Sequence, residues 1–160
     1  MDNYRTIAVN PQAFFKTTAI IHAALLIGQF LFGIVAFSIT NNTGLNVQPG
    51  NDPLFYVALL LVFGGMLLGS FLYKQQITKL AAEAALKEKL STYQTALIIR
   101  CAPSEGASMF CIVCYMLTGN SFYLVLTALN ILYFIWMRPT KQKIEDELSL
   151  SYEDKTALGW

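Results

Sequence analysis

Charged residues are scarce in this sequence. Only 13% of its 160 residues are Asp, Glu, Lys or Arg, whereas 55% are hydrophobic and the mean hydropathy is +0.48. A soluble domain carries about twice that share of charge, so much of the surface is expected to face lipid rather than water. The net charge of only +1 also excludes a broad basic surface for binding nucleic acid.

Cysteine is also rare, and its placement excludes a disulfide framework. The three cysteines, Cys101, Cys111 and Cys114, lie in one apolar segment, unlike those of a small disulfide-stabilised secreted domain. A clear secretory signal peptide is lacking as well. The first apolar run follows the polar segment 1–16, is too long for such a peptide and has no small-residue cleavage site, so we interpret it as a retained membrane span.

Long apolar runs are abundant and predict the fold class. A span needs about 20 mostly apolar residues to cross a hydrocarbon core of about 30 Å, and lipid forces such a segment to be helical. The sequence therefore predicts an all-α membrane protein, a four-transmembrane-helix bundle with cytoplasmic helical extensions. The predicted spans are 17–39, 54–73, 95–117 and 121–137. They form a membrane domain, 17–137, between an N-terminal segment, 1–16, and a C-terminal tail, 138–160.

The connecting segments differ in kind. Segment 40–53 is rich in Asn, Gly and Pro and predicts a turn-forming loop. Segment 74–94 is rich in strong helix formers, so we expect the second or third span to continue beyond the membrane. Gly119–Asn120 suits a tight turn, and Pro139 predicts the end of the fourth helix.

The tail after the fourth span has helical signals of its own. Ile144 and Leu148 lie four residues apart, which predicts a short helix with one apolar stripe. Ser151 and Asp154 resemble a capping box, which predicts a further short helix.

Lysine and arginine predict the orientation. Ten of the eleven basic residues lie before the first predicted span, between the second and third, or after the fourth. The other two loops contain none, and Arg100 lies within a span. Because basic residues concentrate on the cytoplasmic side, we expect a multi-pass protein of the inner (plasma) membrane with both termini in the cytoplasm.

Polar side chains inside the spans are the candidate functional residues, since such groups are energetically costly in lipid. His22 and Gln29 are seven residues apart and share a helix face. Counting residues from the cytoplasmic ends predicts two polar layers, with His22 and Arg100 in one and Gln29 and Glu105 near mid-membrane. Asn130 of the fourth span lies between these layers.

Two interpretations of Arg100 and Glu105 stay open. In the structural one, Arg100 extends to the interface and Glu105 is protonated or hydrogen-bonded to Gln29. In the functional one, Glu105 is a proton or cation site tuned by Arg100. Pro103 removes a backbone hydrogen bond and predicts a kink between the two residues, which would bring their side chains closer.

Small residues in the second span predict a packing face. Gly65 and Gly69 form a G-xxx-G step, which lets two helix backbones approach closely. The partner is either another span of this chain or a second copy.

Two cysteines permit a third, redox interpretation. Cys111 and Cys114 form a CxxC that shares one face of the third span. Membrane thiol oxidoreductases are also small four-helix proteins with cysteine pairs, but a cysteine in a helix is ordinarily a small apolar residue.

Part of the chain resembles a known family. The stretches EKLSTYQTALIIR, EGASMFCIVCYMLTGN and RPTKQKIEDELSLS, within residues 88–151, are similar to an uncharacterised family of small four-helix bacterial inner-membrane proteins. Pro103 and Ser104 depart from that family's pattern, where an apolar residue is expected at position 103. The resemblance implies the fold and the location but no activity.

The sequence predicts a structural or accessory membrane subunit rather than an enzyme. The alternatives are a proton- or cation-translocating element using Glu105 and a thiol oxidoreductase using Cys111 and Cys114. We expect the lipid bilayer as the surroundings, a second copy or other membrane subunits as partners, and no nucleic acid, cofactor or metal.

Overall fold

The described part of the chain is helical. The computed structural model describes residues 11–40, 47, 53–80 and 84–159, in which no strand occurs. The helices within these residues are α1 (Pro11–Ile39), α2 (Pro53–Thr78), α3 (Leu86–Thr118), α4 (Phe122–Trp136), α5 (Lys141–Leu148) and α6 (Tyr152–Ala157). The predicted all-α class is confirmed.

Three helices of the described residues are long and apolar enough to cross a membrane, namely Ala13–Ile39, Pro53–Thr78 and Leu86–Thr118. The predicted fourth span forms a helix of only 15 residues, which is about 22 Å long and shorter than a hydrocarbon core of about 30 Å. The chain bends by 72° between α4 and α5. Only the two helices together are long and apolar enough to count as a span. The structure thus has three to four candidate spans.

Large apolar side chains cover the outside of these helices. Leu60, Leu67, Leu132 and Trp136 are each more than 60% exposed. Exposure of this extent is costly in water and is expected where a surface faces lipid. The helices therefore fit an integral membrane protein.

The central helix is α3, which contacts α1, α2, α4 and α5. Two glycines bring α2 closest to it. A Cβ atom on Gly65 would lie 3.0 Å from the carbonyl oxygen of Pro103, and one on Gly69 would lie 2.5 Å from that of Arg100. The close-packing partner of the G-xxx-G step in this structure is therefore α3 of the same chain.

The C-terminal tail folds back onto the extended ends of α2 and α3. Ile144 and Leu148 of α5, together with Leu158, are buried against Leu90 and Tyr93 of α3. The predicted apolar stripe of α5 is thus confirmed, and it makes the tail part of the helical core.

Several local predictions are confirmed. Gly119 ends α3 with a φ of 67°, a left-handed conformation that suits glycine. The helix before Pro139 ends at Trp136, and Ser151 with Asp154 forms the capping box that begins α6.

Segment 74–94 is helical at both ends, because α2 continues to Thr78 and α3 begins at Leu86. Both helices therefore extend beyond the predicted spans 54–73 and 95–117. Most of the predicted loop 40–53 and of the N-terminal segment 1–16 lies outside the described residues.

Candidate functional site

A buried hydrogen-bond network joins α3 to α4 around Asn130. The Asn130 side-chain amide donates to Ser108 Oγ at 2.8 Å and to the Ser104 carbonyl oxygen at 2.5 Å, while Ser104 Oγ donates to Asn130 Oδ1 at 2.5 Å. All three residues are fully buried. The amide therefore has partners for both donor hydrogens and for its oxygen, as a buried polar group requires.

The sequence analysis missed Ser108 as a member of this network. Ser104 and Ser108 are four residues apart on α3 and so lie on one face. That spacing, opposite an intramembrane Asn, was the signal available in the sequence.

His22 joins α1 to α4. Its Nε2 donates to the carbonyl oxygen of Phe134 at 3.0 Å, and the two rings lie 5.5 Å apart. Because a carbonyl oxygen can only accept, the proton sits on Nε2 in the neutral ring. The bond ties two helices together in the buried interior.

Gln29 is the opposite case. It is fully buried, yet neither its amide oxygen nor its amide nitrogen has a hydrogen-bond partner among the described residues. It lines a mostly apolar cavity of about 250 Å³ between α1 and α4, beside Gly33 and Thr127. The hydroxyl of Thr127 bonds to its own helix, at the carbonyl of Tyr123, and so does not satisfy Gln29.

Glu105 does not form the predicted hydrogen bond with Gln29, because both polar atoms of Gln29 are unpartnered. Glu105 is only partly buried. The reason is rotational: α3 continues as a regular helix through Pro103, so Glu105 stays about 100° around the helix from Ser104, which faces α4. Gln29 and Glu105 are therefore predicted at a similar depth in the membrane, but their side chains do not meet.

Arg100 pairs with an aromatic ring instead of an acid. Its guanidinium carbon lies 4.9 Å from the centre of the Tyr73 ring, within the range of a cation–π contact. Among the described residues it forms no ion pair with Glu105. Tyr73 donates in turn to the carboxylate of Glu147 on α5, so this contact joins α2, α3 and the tail.

The cysteine thiols lie in the core. Cys101, Cys111 and Cys114 are each 1% exposed or less. Cys111 and Cys114 pack within a cluster of apolar residues that includes Ile112 and Tyr115. This environment suits small apolar residues.

An ion pair between α3 and α6 was not predicted from the sequence. Lys89 of α3 is buried, and its Nζ lies 3.0 Å from Oδ2 of Asp154 on α6. Burial raises the pKa of the Asp154 carboxyl, but the hydrogen bonds from Lys89 and Ser151 outweigh it and hold that pKa below its ordinary value. The pair anchors α6 to the bundle.

Comparison with protein-family models, curated proteins and solved structures finds no match to this chain. No group of three or more His, Cys, Asp or Glu side chains suited to a metal ion occurs in the described residues. Of the predicted candidate residues, Asn130 and His22 form hydrogen bonds, and each links one helix to another. Within the described residues, the buried side-chain polar atoms without a hydrogen-bond partner belong to Gln29 and Arg100.

Proposed function

We propose that the chain is a four-span protein of the inner (plasma) membrane, with both termini in the cytoplasm, that acts as a structural or accessory membrane subunit. The observation that carries this proposal is the use of buried polar groups. Asn130 and His22 form their hydrogen bonds with neighbouring helices. This is expected of polar groups that stabilise a structural protein. The resemblance to small bacterial inner-membrane proteins supports the same location, and we propose membership of that family.

The surroundings of Glu105 support translocation less well. A proton path needs a chain of polar groups that can exchange hydrogen bonds. Within the described residues, Glu105 forms no hydrogen bond or ion pair, and Arg100 is engaged with Tyr73. Burial of Cys111 and Cys114 likewise gives little support to thiol chemistry.

Reporter fusions test the topology and the fourth span together. A cytoplasmic reporter should be active after Lys87 and after Trp160, and inactive when inserted at Asn46. Because α4 is short, the fusion after Trp160 is the decisive one. If α3 crosses the membrane, activity after both Lys87 and Trp160 with inactivity at Asn46 requires that α4 crosses as well, whereas inactivity after Trp160 would leave three spans.

Co-purification and two activity assays test the role. In mild detergent, an accessory subunit should retain a defined membrane partner or a second copy in fixed proportion. Proton conductance in liposomes that is lost in Glu105→Gln would favour translocation instead. Dithiol-dependent quinone reduction that is lost in Cys111→Ser would favour the thiol enzyme.

A further inference from the structure

A pocket with both polar and apolar lining lies at the junction of α2, α3 and α5. Its volume is about 310 Å³. The polar lining residues are Ser70, Tyr73, Lys74, Thr78, Arg100 and Glu147. Two cations and one carboxylate leave the lining with a net positive charge.

Arg100 lines this pocket and forms no hydrogen bond or ion pair with another described residue. Its Nε is buried and has no hydrogen-bond partner, and its guanidinium lies over the Tyr73 ring. The nearby carboxylate of Glu147 already accepts from Tyr73 and lies outside ion-pair distance of Arg100. A guanidinium presents five donors in a planar fork that suits carboxylate and phosphate groups, so an anion with several oxygens would satisfy it.

The position of the pocket points to the source of that anion. The apolar sequence of α2 ends at Tyr73, and Lys74 begins its polar end. On the same face, at helical spacing, Leu67 and Phe71 are 74% and 64% exposed. A charged pocket with an apolar strip leading away from it along one helix matches an amphiphile with a phosphate at one end and acyl chains at the other.

We propose that this pocket binds the phosphate of a membrane phospholipid, with Arg100 and Lys74 as its cationic contacts and the acyl chains along Leu67 and Phe71. Basic pockets between membrane helices on the cytoplasmic side are suited to such head groups. The lipid also supplies the anion that an arginine inside a span requires. This inference rests on the proposed membrane topology.

The test is a titration of the full chain in mild detergent with phosphatidylglycerol, followed by native mass spectrometry and by thermal melting. Arg100→Gln should weaken lipid binding about tenfold, the factor that corresponds to one charge-assisted hydrogen bond. Lys74→Gln should weaken it about threefold, because Lys74 is exposed and acts as a point charge. Arg138→Gln is the matched control, since it removes an exposed arginine outside the pocket, and it should bind as wild type does.

The outcomes separate the explanations. Equal lipid affinity of wild type, Arg100→Gln and Lys74→Gln would overturn the site, and Lys74→Gln decides if Arg100→Gln fails to fold. Glycerol phosphate serves as the soluble arm. If it stabilises the protein as strongly as the lipid, the phosphate site stands but the lipid source is overturned. The reporter fusions use none of these variants, so the topology can fail or hold independently.

Discussion

The bundle holds two buried amide side chains in opposite states. Asn130, between α3 and α4, has partners for its oxygen and both donor hydrogens. Gln29, on α1, has none among the described residues and borders a cavity. The same kind of group is thus fully hydrogen-bonded at one helix interface and without a hydrogen-bond partner at the other.

The glycines show the same contrast in packing. On α2, Gly69 has no room for a Cβ atom, because the Arg100 carbonyl oxygen would lie 2.5 Å away. On α1, Gly28 has nothing within 4 Å, and Gly33 only an ordinary contact at 3.9 Å. The tight glycine contact therefore lies between α2 and α3, and neither of these two glycines of α1 takes part in a comparable one.

The largest expected effect comes from filling the tight contact. Gly69→Ala should lower the free energy of unfolding by about 1–3 kcal/mol, because a methyl group there forces two backbones apart. Gly64→Ala on the same helix and Gly28→Ala on α1 are the controls, since neither position has a neighbour within 4 Å. Both should be neutral or gain up to about 1 kcal/mol from helix propensity. Thermal melts in detergent measure all three, and equal melting would show that α2 does not pack on α3 as described.

The next largest effect comes from removing the hydrogen bonds of Asn130. Asn130→Leu should lower the free energy of unfolding by about 1–2 kcal/mol, the upper range for interhelical hydrogen bonds in membranes. The change leaves the hydroxyls of Ser104 and Ser108 without their partner on α4. Ser108→Ala is a milder variant that removes one bond of the network, and it should fall between wild type and Asn130→Leu. A melting temperature of Asn130→Leu at or above that of wild type would contradict a stabilising role for the Asn130 hydrogen bonds.

Gln29→Leu should have the opposite sign. An amide that is buried without a hydrogen bond destabilises the fold by about 1–3 kcal/mol, so its replacement with an apolar side chain should raise the free energy of unfolding by about 1 kcal/mol. The comparison with Asn130→Leu is direct, because both variants replace a fully buried amide with leucine. If Gln29→Leu lowers the stability of the purified protein as Asn130→Leu does, Gln29 has a hydrogen-bond partner there that the described residues do not supply.

Much of the fold follows from the sequence because lipid imposes a simple rule. Apolar runs must be helical, and the second predicted span, 54–73, lies within α2. The predicted fourth span, 121–137, agrees with the bounds of α4, but its crossing of the membrane stays a prediction, because α4 is short and the chain bends by 72° after it. The burial of Lys89 against Asp154 depends on how the tail folds back, and residue order alone carries no such information.

The sequence predicts the depth of the candidate residues in the membrane, but not the direction in which each side chain points from its helix. Residue counts put Gln29 and Glu105 near one level, because the helical rise is constant. Whether two side chains meet also depends on how each helix is turned about its axis, which the packing of all neighbours decides. Asn130 was identified as a polar residue inside a span, yet its partners Ser104 and Ser108 required the α3–α4 crossing.

Glu105 should give the smallest effect. It is partly exposed and forms no hydrogen bond or ion pair with a described residue, so Glu105→Leu removes no polar bond. We expect its free energy of unfolding to stay within about 0.5 kcal/mol of wild type, as for substitutions away from packed or bonded positions. Melts of Glu105→Leu and Glu105→Gln beside wild type measure this.

The pair of Glu105 variants separates a bond from a charge. A loss of 1 kcal/mol or more in Glu105→Leu that Glu105→Gln restores would reveal an interhelical hydrogen bond of the usual membrane strength, and would return Glu105 to the polar layer with Gln29. Unchanged melting temperatures of both variants would show that Glu105 makes no stabilising hydrogen bond between helices. Loss of proton conductance in Glu105→Gln at unchanged stability would then be an effect on transport alone, because the amide keeps the shape of the carboxyl but cannot exchange its proton.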